Sequence, residues 1–382
     1  MNHLTFNTDK KIAIMESYLN FLKSEIKSNG MKPGIIDNEH ILISKRILHN
    51  LKYIKEGTTP YDNYETPMSV QLELTSKCNQ ACIMCYNQSG MDKNTHNEDL
   101  SIDQWIKIAQ ELASIHIPQI IISGGEPTLL REDLFKIMDI FNEVGTHFIF
   151  INNGMLINEG YIKKLAKYHY SWMQFSVDGA TEEVHDYIRG AKGAFKKVIN
   201  SIALARANGI PVGIASAIQR KNIHQVGDLI DLAYHLGAYK HVMGQFLYAG
   251  RAVTNGDDIG LNEDDIIMIK KITHDKMIEH NNLLSIDRPV DPALSLRIKM
   301  CSPNGGLLIR PNGEVRIDCI APVRIGNVKE QNILNIWNKV GKYAWGHPLV
   351  LEYIDQIKIY KDMNTVHPRT HYEPDIDISL KN

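Results

Sequence analysis

The stretch from residue 69 to residue 85, "SVQLELTSKCNQACIMC", joins a strand-like run to three closely spaced cysteines. Residues 69–75 have the apolar and β-favouring character of a short strand, and Cys78, Cys82 and Cys85 follow directly after it. The chain has five cysteines in all. An odd, clustered set does not suit the paired disulfides of a secreted protein, so it indicates metal binding in a reducing compartment.

Further apolar runs follow this one at regular intervals, with amphipathic helical stretches between them. They are "QIIIS" (119–123), "HFIFI" (147–151), "WMQFSV" (172–177), "VGIASAI" (212–218) and "HVMGQFL" (241–247). The helical stretch before the second run opens with Ser101 and Gln104 at capping-box spacing. Alternating strands and helices predict an α/β fold with a parallel sheet, and six such repeats predict a wound sheet or a barrel.

The regions on either side of this core have different patterns. Residues 9–28 and 38–55 carry apolar positions at helical spacing, which predicts an N-terminal helical segment over residues 1–66. The strand–helix repeats fill residues 67–285. Residues 286–382 form the remaining C-terminal part, where "LLIRPNGEVRIDC" predicts a hairpin around Pro-Asn-Gly within a small α+β unit.

Charge and hydropathy exclude several classes of partner. The 382 residues include 42 Lys and Arg and 44 Asp and Glu, a net charge of −2, with both signs mixed along the chain. No basic region of the kind that binds nucleic acid or an anionic membrane surface is present. The N-terminal sequence lacks the pattern of a signal peptide, and no apolar run is long enough to cross a bilayer. We therefore expect a cytoplasmic protein that binds neither nucleic acid nor membrane.

Glycine-rich and polar segments come directly after successive predicted strands. The cysteines follow the first strand, "GGEPT" (124–128) the second, "NNG" (152–154) the third and "DG" (178–179) the fourth. In parallel α/β folds the active site is built at the edge where the strands end. We therefore expect these four segments to meet around one ligand.

The spacing of the three cysteines allows two kinds of metal centre. Three thiolates can hold a cubane iron–sulfur cluster and leave one iron free to bind a substrate or cofactor. The alternative is a zinc site completed by a residue such as His96. Zinc prefers four ligands, and this spacing is not that of a usual zinc finger. The iron–sulfur interpretation is favoured.

The combined motifs resemble the radical S-adenosylmethionine (SAM) superfamily. Cys-x3-Cys-x2-Cys after the first strand and Gly-Gly-Glu-Pro after the second are typical of it, and "SVDGATEEVHDYIRG" and "GIPVGIASAIQRKN" follow in the expected order. The resemblance extends over roughly residues 68–250. It implies a partial (β/α)6 TIM-type barrel.

The resemblance also implies the roles of individual residues. Cys78, Cys82 and Cys85 would hold a [4Fe–4S] cluster whose open iron binds SAM. The residues expected to contact SAM are Gly124, Gly125 and Glu126 at the methionine part, Ser176 and Asp178 at or near the ribose, Arg189 at the carboxylate and Met84 near the adenine. Met84 stands where the family commonly has an aromatic residue or His.

Most of the expected SAM contacts have a simpler alternative. The two glycines and Asp178-Gly179 could form turns, Ser176 could cap a strand end, and Arg189 could form a surface ion pair. Glu126, in a glycine-rich loop, is expected to have little packing to lose.

The C-terminal sequence resembles the start of the SPASM or twitch module, which carries auxiliary clusters in peptide-modifying radical SAM enzymes. Cys301, Gly313, Cys319 and Trp337 fall where that module has such residues. Two thiolates are too few for an ordinary four-ligand cluster, so we expect a degenerate module that keeps the hairpin without a cluster. Cys301 and Cys319 could be buried apolar residues, ligands of an unusual cluster, or thiols that return a hydrogen atom to a substrate radical.

Function follows from the resemblance. It implies an enzyme of oxidoreductase or epimerase type, which cleaves SAM to a 5′-deoxyadenosyl radical and abstracts hydrogen from a ribosomally made peptide, leading to cross-linking or epimerisation. A flavodoxin or ferredoxin would supply the electron. Two alternatives remain open: a radical SAM oxidase or epimerase of a small molecule such as a sugar, and a non-catalytic iron–sulfur scaffold that binds a partner through the N-terminal helices.

Overall fold

The structure is a computed structural model, and it describes most of the chain. The described residues are 7–28, 38–58, 63–90, 98–287, 292–366 and 376–379. His96, the residue considered as a fourth zinc ligand, lies outside them.

The N-terminal segment contains two helices, as its periodicity predicts. They are α1 (Thr8–Ser28) and α2 (Asn38–Lys55). They pack against each other, and Met15, Tyr18 and Leu22 of α1 are buried.

Six parallel strands form the central sheet, and all six predicted strands are present. They are β1 (Ser69–Glu73), β2 (Gln119–Ser123), β3 (His147–Asn152), β4 (Tyr170–Ser176), β5 (Val212–Ile218) and β6 (Lys240–Gln245). Each strand pairs with the next in chain order. The α/β fold class with a parallel sheet is thereby confirmed.

Helices connect these strands. They are α3 (Ile102–Ser114), α4 (Glu132–Glu143), α5 (Glu159–Leu165), α6 (Glu182–Arg189), α7 (Ala194–Ala207), α8 (Val226–His235), α9 (Arg251–Ile259) and α10 (Glu263–Glu279). Ser101 and Gln104 form the predicted capping box at the start of α3, and each side chain accepts the other's backbone N–H.

The C-terminal part adds strands to the same sheet. Its elements are β7 (Ser285–Asp287), α11 (Pro292–Met300), β8 (Gly306–Ile309), β9 (Glu314–Arg316), β10 (Val323–Asn327), α12 (Ile333–Lys339), α13 (Pro348–Gln356), α14 (Asp362–Val366) and β11 (Ile376–Asp377). The predicted β8–β9 hairpin is present, and β8 pairs in parallel with β1, so that Ser69 lies opposite Gly306. The sheet therefore runs β11-β10-β9-β8-β1 and on to β7 without a break.

The two faces of the barrel strands differ in burial. Leu72, Ile122 and Phe150 on the outer face are fully buried in the core beneath the helices. Inner-face residues such as Gln71 and Gln174 are only half-buried. Because successive side chains of a strand point to opposite faces, the inner face is an accessible and partly polar lining. Among the described helices, none has the length and apolar character needed to cross a bilayer.

Candidate active site

The three cysteines lie in the loop that follows β1, which we call the cysteine loop (residues 74–90). All five cysteines of the chain are free thiols. Cys78 and Cys82 are buried and Cys85 is half-buried. The loop closes on itself where the backbone N–H of Cys78 donates to the carbonyl of Gly90 at 3.0 Å. Three reduced thiols are thus held at the carboxyl end of β1.

The glycine-rich segment after β2 lies directly against the start of this loop. The N–H of Gly125 donates to Thr75 O at 2.6 Å, and that of Glu126 donates to Lys77 O at 2.8 Å. A Cβ on Gly125 would lie 2.1 Å from Lys77 O, and Gly124 has a φ of +140°. The two glycines are therefore required for the close approach of two backbones, and their expected contact with SAM remains a prediction.

Glu126 is internally hydrogen-bonded, so the expectation that its side chain has little packing to lose is wrong. Its Oε1 accepts from the backbone N–H of Thr128 at 3.1 Å and the hydroxyl of Thr128 at 2.5 Å. Its Oε2 accepts from the backbone N–H of Asn153 at 2.8 Å. Burial raises the pKa of this carboxyl, and these donors oppose the shift. Glu126 joins the loops that follow β2 and β3.

Replacing Glu126 by alanine is expected to lower the free energy of unfolding of the cofactor-free protein by about 1–3 kcal/mol, because buried donors on Thr128 and Asn153 lose their acceptor. Urea unfolding measures this. The matched control is Glu132→Ala, which removes a largely exposed carboxylate paired with Lys164. Equal unfolding midpoints for the two variants would contradict the structural role of Glu126.

The loop after β3 reaches the first cysteine. The side-chain amide of Asn153 donates to Asn79 Oδ1 at 2.7 Å and lies 3.9 Å from Cys78 Sγ. The side chain of Asn152 instead forms hydrogen bonds with backbone groups. Its Oδ1 accepts from the N–H of Gly154, and its amide donates to Gln174 O. The "NNG" segment therefore both completes a strand end and contacts the cysteine loop.

Asp178 and Arg189 form an ion pair beside the second cysteine. Arg189 Nε lies 2.6 Å from Asp178 Oδ2, with side chains that are 11% and 0% exposed, so the pair is buried and not at the surface. Arg189 Nη1 also lies 3.6 Å from Cys82 Sγ. Burial raises the pKa of Asp178, and the charge of Arg189 opposes this. The positive charge of Arg189 is thus fixed between a carboxylate and a thiol.

The buried environment of Cys78 and Cys82 disfavours their thiolate forms. Burial, together with the nearby charge of Glu126, raises the pKa of Cys78 to about 12. Burial likewise raises the pKa of Cys82, opposed by Arg189. Thiolates here would require a compensating positive charge, which a bound metal centre provides.

The spacing of the thiols bears on the zinc alternative. Among the described residues, Asp231, Glu279 and His280 are the one set of three potential ligands whose ligand atoms all lie within 4.8 Å of one another. The three cysteines are described and do not meet that condition. A single tetrahedral zinc with Zn–S bonds of about 2.3 Å needs sulfurs about 3.8 Å apart. In this arrangement the three thiols do not form a ready-made tetrahedral zinc site.

Arg251 is a contact of the cysteine loop that sequence reasoning missed. Its Nε donates to Cys82 O at 2.7 Å and its Nη1 to Ser89 O at 2.8 Å. Arg251 follows the sixth strand, as the other site segments follow earlier strands. The same positional rule could have identified it, but no glycine-rich motif marked this segment.

The remaining residues expected at the SAM site lie at the same edge of the sheet or near it. Ser176 is half-buried at the carboxyl end of β4, and Met84 is 8% exposed in the cysteine loop. Their contacts with SAM remain predictions.

Cys301 and Cys319 lie in different surroundings. The charged groups near Cys301 are Lys11 of α1 and Arg297 of α11, and burial raises the pKa of this thiol to about 12. Cys319 instead interacts with Tyr86, the residue after Cys85, and with Lys299. Of the two C-terminal thiols, Cys319 is therefore the one with an electrostatic effect on a residue of the cysteine loop.

Comparison with known proteins finds the superfamily that the sequence motifs resemble. Residues 72–233 match the model of the Radical SAM superfamily. The chain is 27% identical over 279 residues to the sporulation killing factor maturation protein SkfB of Bacillus subtilis. This alignment covers 72% of this chain and 65% of that protein. The chain is 27% identical over 257 residues to the PqqA peptide cyclase of Bradyrhizobium diazoefficiens, covering 66% and 67%. It is 31% identical over 185 residues to the AdoMet-dependent heme synthase of Methanosarcina barkeri, covering 48% and 52%.

The matched region is thus between about half and two thirds of the length of these relatives. Among solved structures, Streptococcus suis SuiB bound to S-adenosylmethionine has a TM-score of 0.62 at 14% identity, covering 84% of this chain and 81% of that one. At that identity the likeness shows a shared fold.

Proposed function

The chain contains a radical SAM domain over residues 72–233, and from this we propose that it is an enzyme that uses one [4Fe–4S] cluster and SAM to modify a ribosomally made peptide. The observation that carries the proposal is the set of three free thiols, two buried and one half-buried, beside the Gly-Gly-Glu segment. Cys78, Cys82 and Cys85 would hold the cluster.

When bound, the cluster and SAM supply the reductive cleavage that gives a 5′-deoxyadenosyl radical, which abstracts a hydrogen atom from the substrate. The residues of the chain bind and orient these groups. A carboxylate has about four acceptor positions, and Glu126 uses three of them internally, so one remains to accept from the ammonium group of SAM. The Cβ positions of Gly124 and Gly125 are filled by the backbone of Thr75 and Lys77, so these glycines would line the methionine part of SAM through their backbone atoms.

Arg189 contributes a fixed positive charge. It contacts Cys82 Sγ and is held by Asp178, so it would offset the negative charge of a cysteine thiolate. Because Asp178 and Cys82 hold Arg189 in place, its side chain has little freedom to turn toward the carboxylate of SAM. We propose that Arg189 stabilises the thiolate of Cys82.

A peptide is the substrate we favour. One similar protein is named a maturation protein of the sporulation killing factor, and another is named a PqqA peptide cyclase. The half-buried inner face of the barrel strands gives an accessible lining for a bulky substrate. A flavodoxin or ferredoxin would supply electrons, and the free thiols fit a reducing compartment such as the cytoplasm.

Mass spectrometry of the peptide product distinguishes the two reaction outcomes. In deuterium oxide, epimerisation should add about one mass unit, since a solvent-exchanged thiol delivers deuterium, and a cross-link should remove about two. If epimerisation occurs, Cys319→Ser should abolish deuterium uptake and Cys301→Ser should retain it, because Cys319 acts electrostatically on Tyr86 of the cysteine loop, whereas the charged groups that act on Cys301 are Lys11 and Arg297.

The same experiment tests the substrate class. An unmodified peptide, with 5′-deoxyadenosine released only after addition of a small metabolite, would contradict the peptide proposal. One similar protein is named as a heme synthase, so a tetrapyrrole belongs among the metabolites tested alongside sugars.

A further inference from the structure

Helix α9 contacts the cysteine loop through four hydrogen bonds, all directed at backbone carbonyls. Arg251 donates from its backbone N–H to Cys85 O at 3.0 Å, from Nε to Cys82 O at 2.7 Å and from Nη1 to Ser89 O at 2.8 Å. Asn255 donates to Ile83 O at 2.8 Å. Two of the three cysteines are among the acceptors. We call this set the α9 contact.

The backbones themselves touch at the start of α9. Gly250 has a φ of +57°, and a Cβ there would lie 2.4 Å from Cys85 O and 2.5 Å from Tyr86 O. A side chain at this position is therefore excluded by sterics and by conformation. The close approach lets one arginine span carbonyls on both sides of Cys85.

Helix α6 holds the opposite hydrogen-bonding groups of the same loop. The N–H of Ala81 donates to Arg189 O at 3.1 Å, and that of Ile83 donates to Ile188 O at 3.0 Å. Thus α6 accepts from the N–H groups of the loop, and α9 donates to its carbonyls. A loop with both sets of groups satisfied has its backbone direction fixed around the cysteines.

The segment before α9 is held in turn by the C-terminal part of the chain. The Tyr360 hydroxyl donates to Phe246 O, and its ring lies 5.0 Å from the ring of Tyr248. Phe246 and Tyr248 are 4% and 7% exposed. The position of α9 is therefore fixed both by the cysteine loop and by the C-terminal part.

We propose that Arg251 is a positioning residue for the cluster, and that the C-terminal part maintains the α9 contact through Tyr360. Arg251 lies outside the residues that match the family model, which end at residue 233. The inference rests on the proposed function, because it requires a cluster on Cys78, Cys82 and Cys85. It gives the C-terminal part a role that does not depend on a cluster of its own.

The test compares full-length Arg251→Gln and Arg251→Lys with the unmodified protein after anaerobic reconstitution. The readouts are the rate of iron loss to a chelator, the midpoint potential of the cluster and the melting temperature of the iron-free protein. Arg220→Gln is the matched control, since Arg220 donates to the carbonyl of Gly260, away from the cysteine loop.

Arg251→Gln should lose iron roughly tenfold faster, as expected when a charge-assisted hydrogen bond is lost. Its midpoint potential should become more negative, because a positive charge beside the cluster is removed. Arg251→Lys keeps the charge, so its potential should stay near that of the unmodified protein although iron loss is faster. Tyr360→Phe should lose iron at a rate between those of the unmodified protein and Arg251→Gln.

Iron loss and potential in Arg251→Gln equal to those of Arg220→Gln would overturn the role of Arg251. If the iron-free Arg251→Gln protein is unfolded, Arg251→Lys decides: iron loss at the unmodified rate overturns the role. Tyr360→Phe behaving as the unmodified protein overturns the part assigned to the C-terminal segment. An unmodified protein that takes up no iron would refute the proposed function and this inference together.

Discussion

Replacing Cys78, Cys82 and Cys85 together by alanine is expected to abolish the cluster completely. After anaerobic reconstitution the unmodified protein should contain about four iron atoms per chain and give the paramagnetic resonance signal of one reduced cubane, and the variant should contain none. The reason is the donor set: three free thiols lie in the loop that follows β1, and the other two cysteines, Cys301 and Cys319, belong to the C-terminal part of the chain.

The double variant Cys301→Ala/Cys319→Ala is the control, and it should retain the full iron content. A cluster signal that persists in the triple variant would show that the ligands have been misassigned. About eight iron atoms per chain, falling to about four in the triple variant, would instead restore an auxiliary cluster to the C-terminal part.

Replacing Asp178 by alanine should lower the free energy of unfolding by about 3–5 kcal/mol, the cost of leaving one partner of a buried ion pair uncompensated. Asp178 is fully buried, accepts from the N–H of Ala217 at 2.7 Å and pairs with Arg189. Chemical denaturation of the iron-free protein measures the loss. The control is Asp133→Ala, whose solvent-exposed pair with Lys136 should contribute little to stability.

A second variant separates the charge effect from simple loss of packing. The double variant Asp178→Ala/Arg189→Met removes both charges, so it should recover part of the stability lost in Asp178→Ala. If the two substitutions were instead additive, the buried ion pair would not be the source of the loss.

The barrel could be predicted from the sequence because the patterns that indicate its strands and helices are each contained in a short stretch of residues. Each strand is a short apolar run, the helices between them have the 3.6-residue period, and the polar segments follow strand ends. The hairpin around Asn312 and Gly313 is equally local, since the turn residues determine it. These features depend on neighbours in sequence, and all of them are present.

Several features that depend on distant parts of the chain were not predicted. The pairing of β8 with β1 joins segments far apart in sequence, and no local pattern specifies the partner of a parallel strand. Helix α9 was missed because it is short and contains Gly256, a poor helix former, and Gly256 instead provides room for the ring of Tyr248.

In the candidate site too, features set by sequence neighbours were predicted and features set by distant residues were not. The cysteines and the glycine-rich segment were identified from their spacing, and the structure places them together. The internal hydrogen bonds of Glu126, the burial of the Asp178–Arg189 pair and the contact of Arg251 with the cysteine loop are tertiary. A residue type in a loop does not reveal which of its atoms are already engaged.

Formation of 5′-deoxyadenosine is the most direct test of the central claim. The reconstituted protein is reduced anaerobically with SAM present, and the nucleoside is quantified by liquid chromatography and mass spectrometry. The account predicts 5′-deoxyadenosine from the unmodified protein and none from the Cys78→Ala/Cys82→Ala/Cys85→Ala variant. Intact SAM after incubation with protein that carries a complete, reducible cluster and its peptide would contradict it.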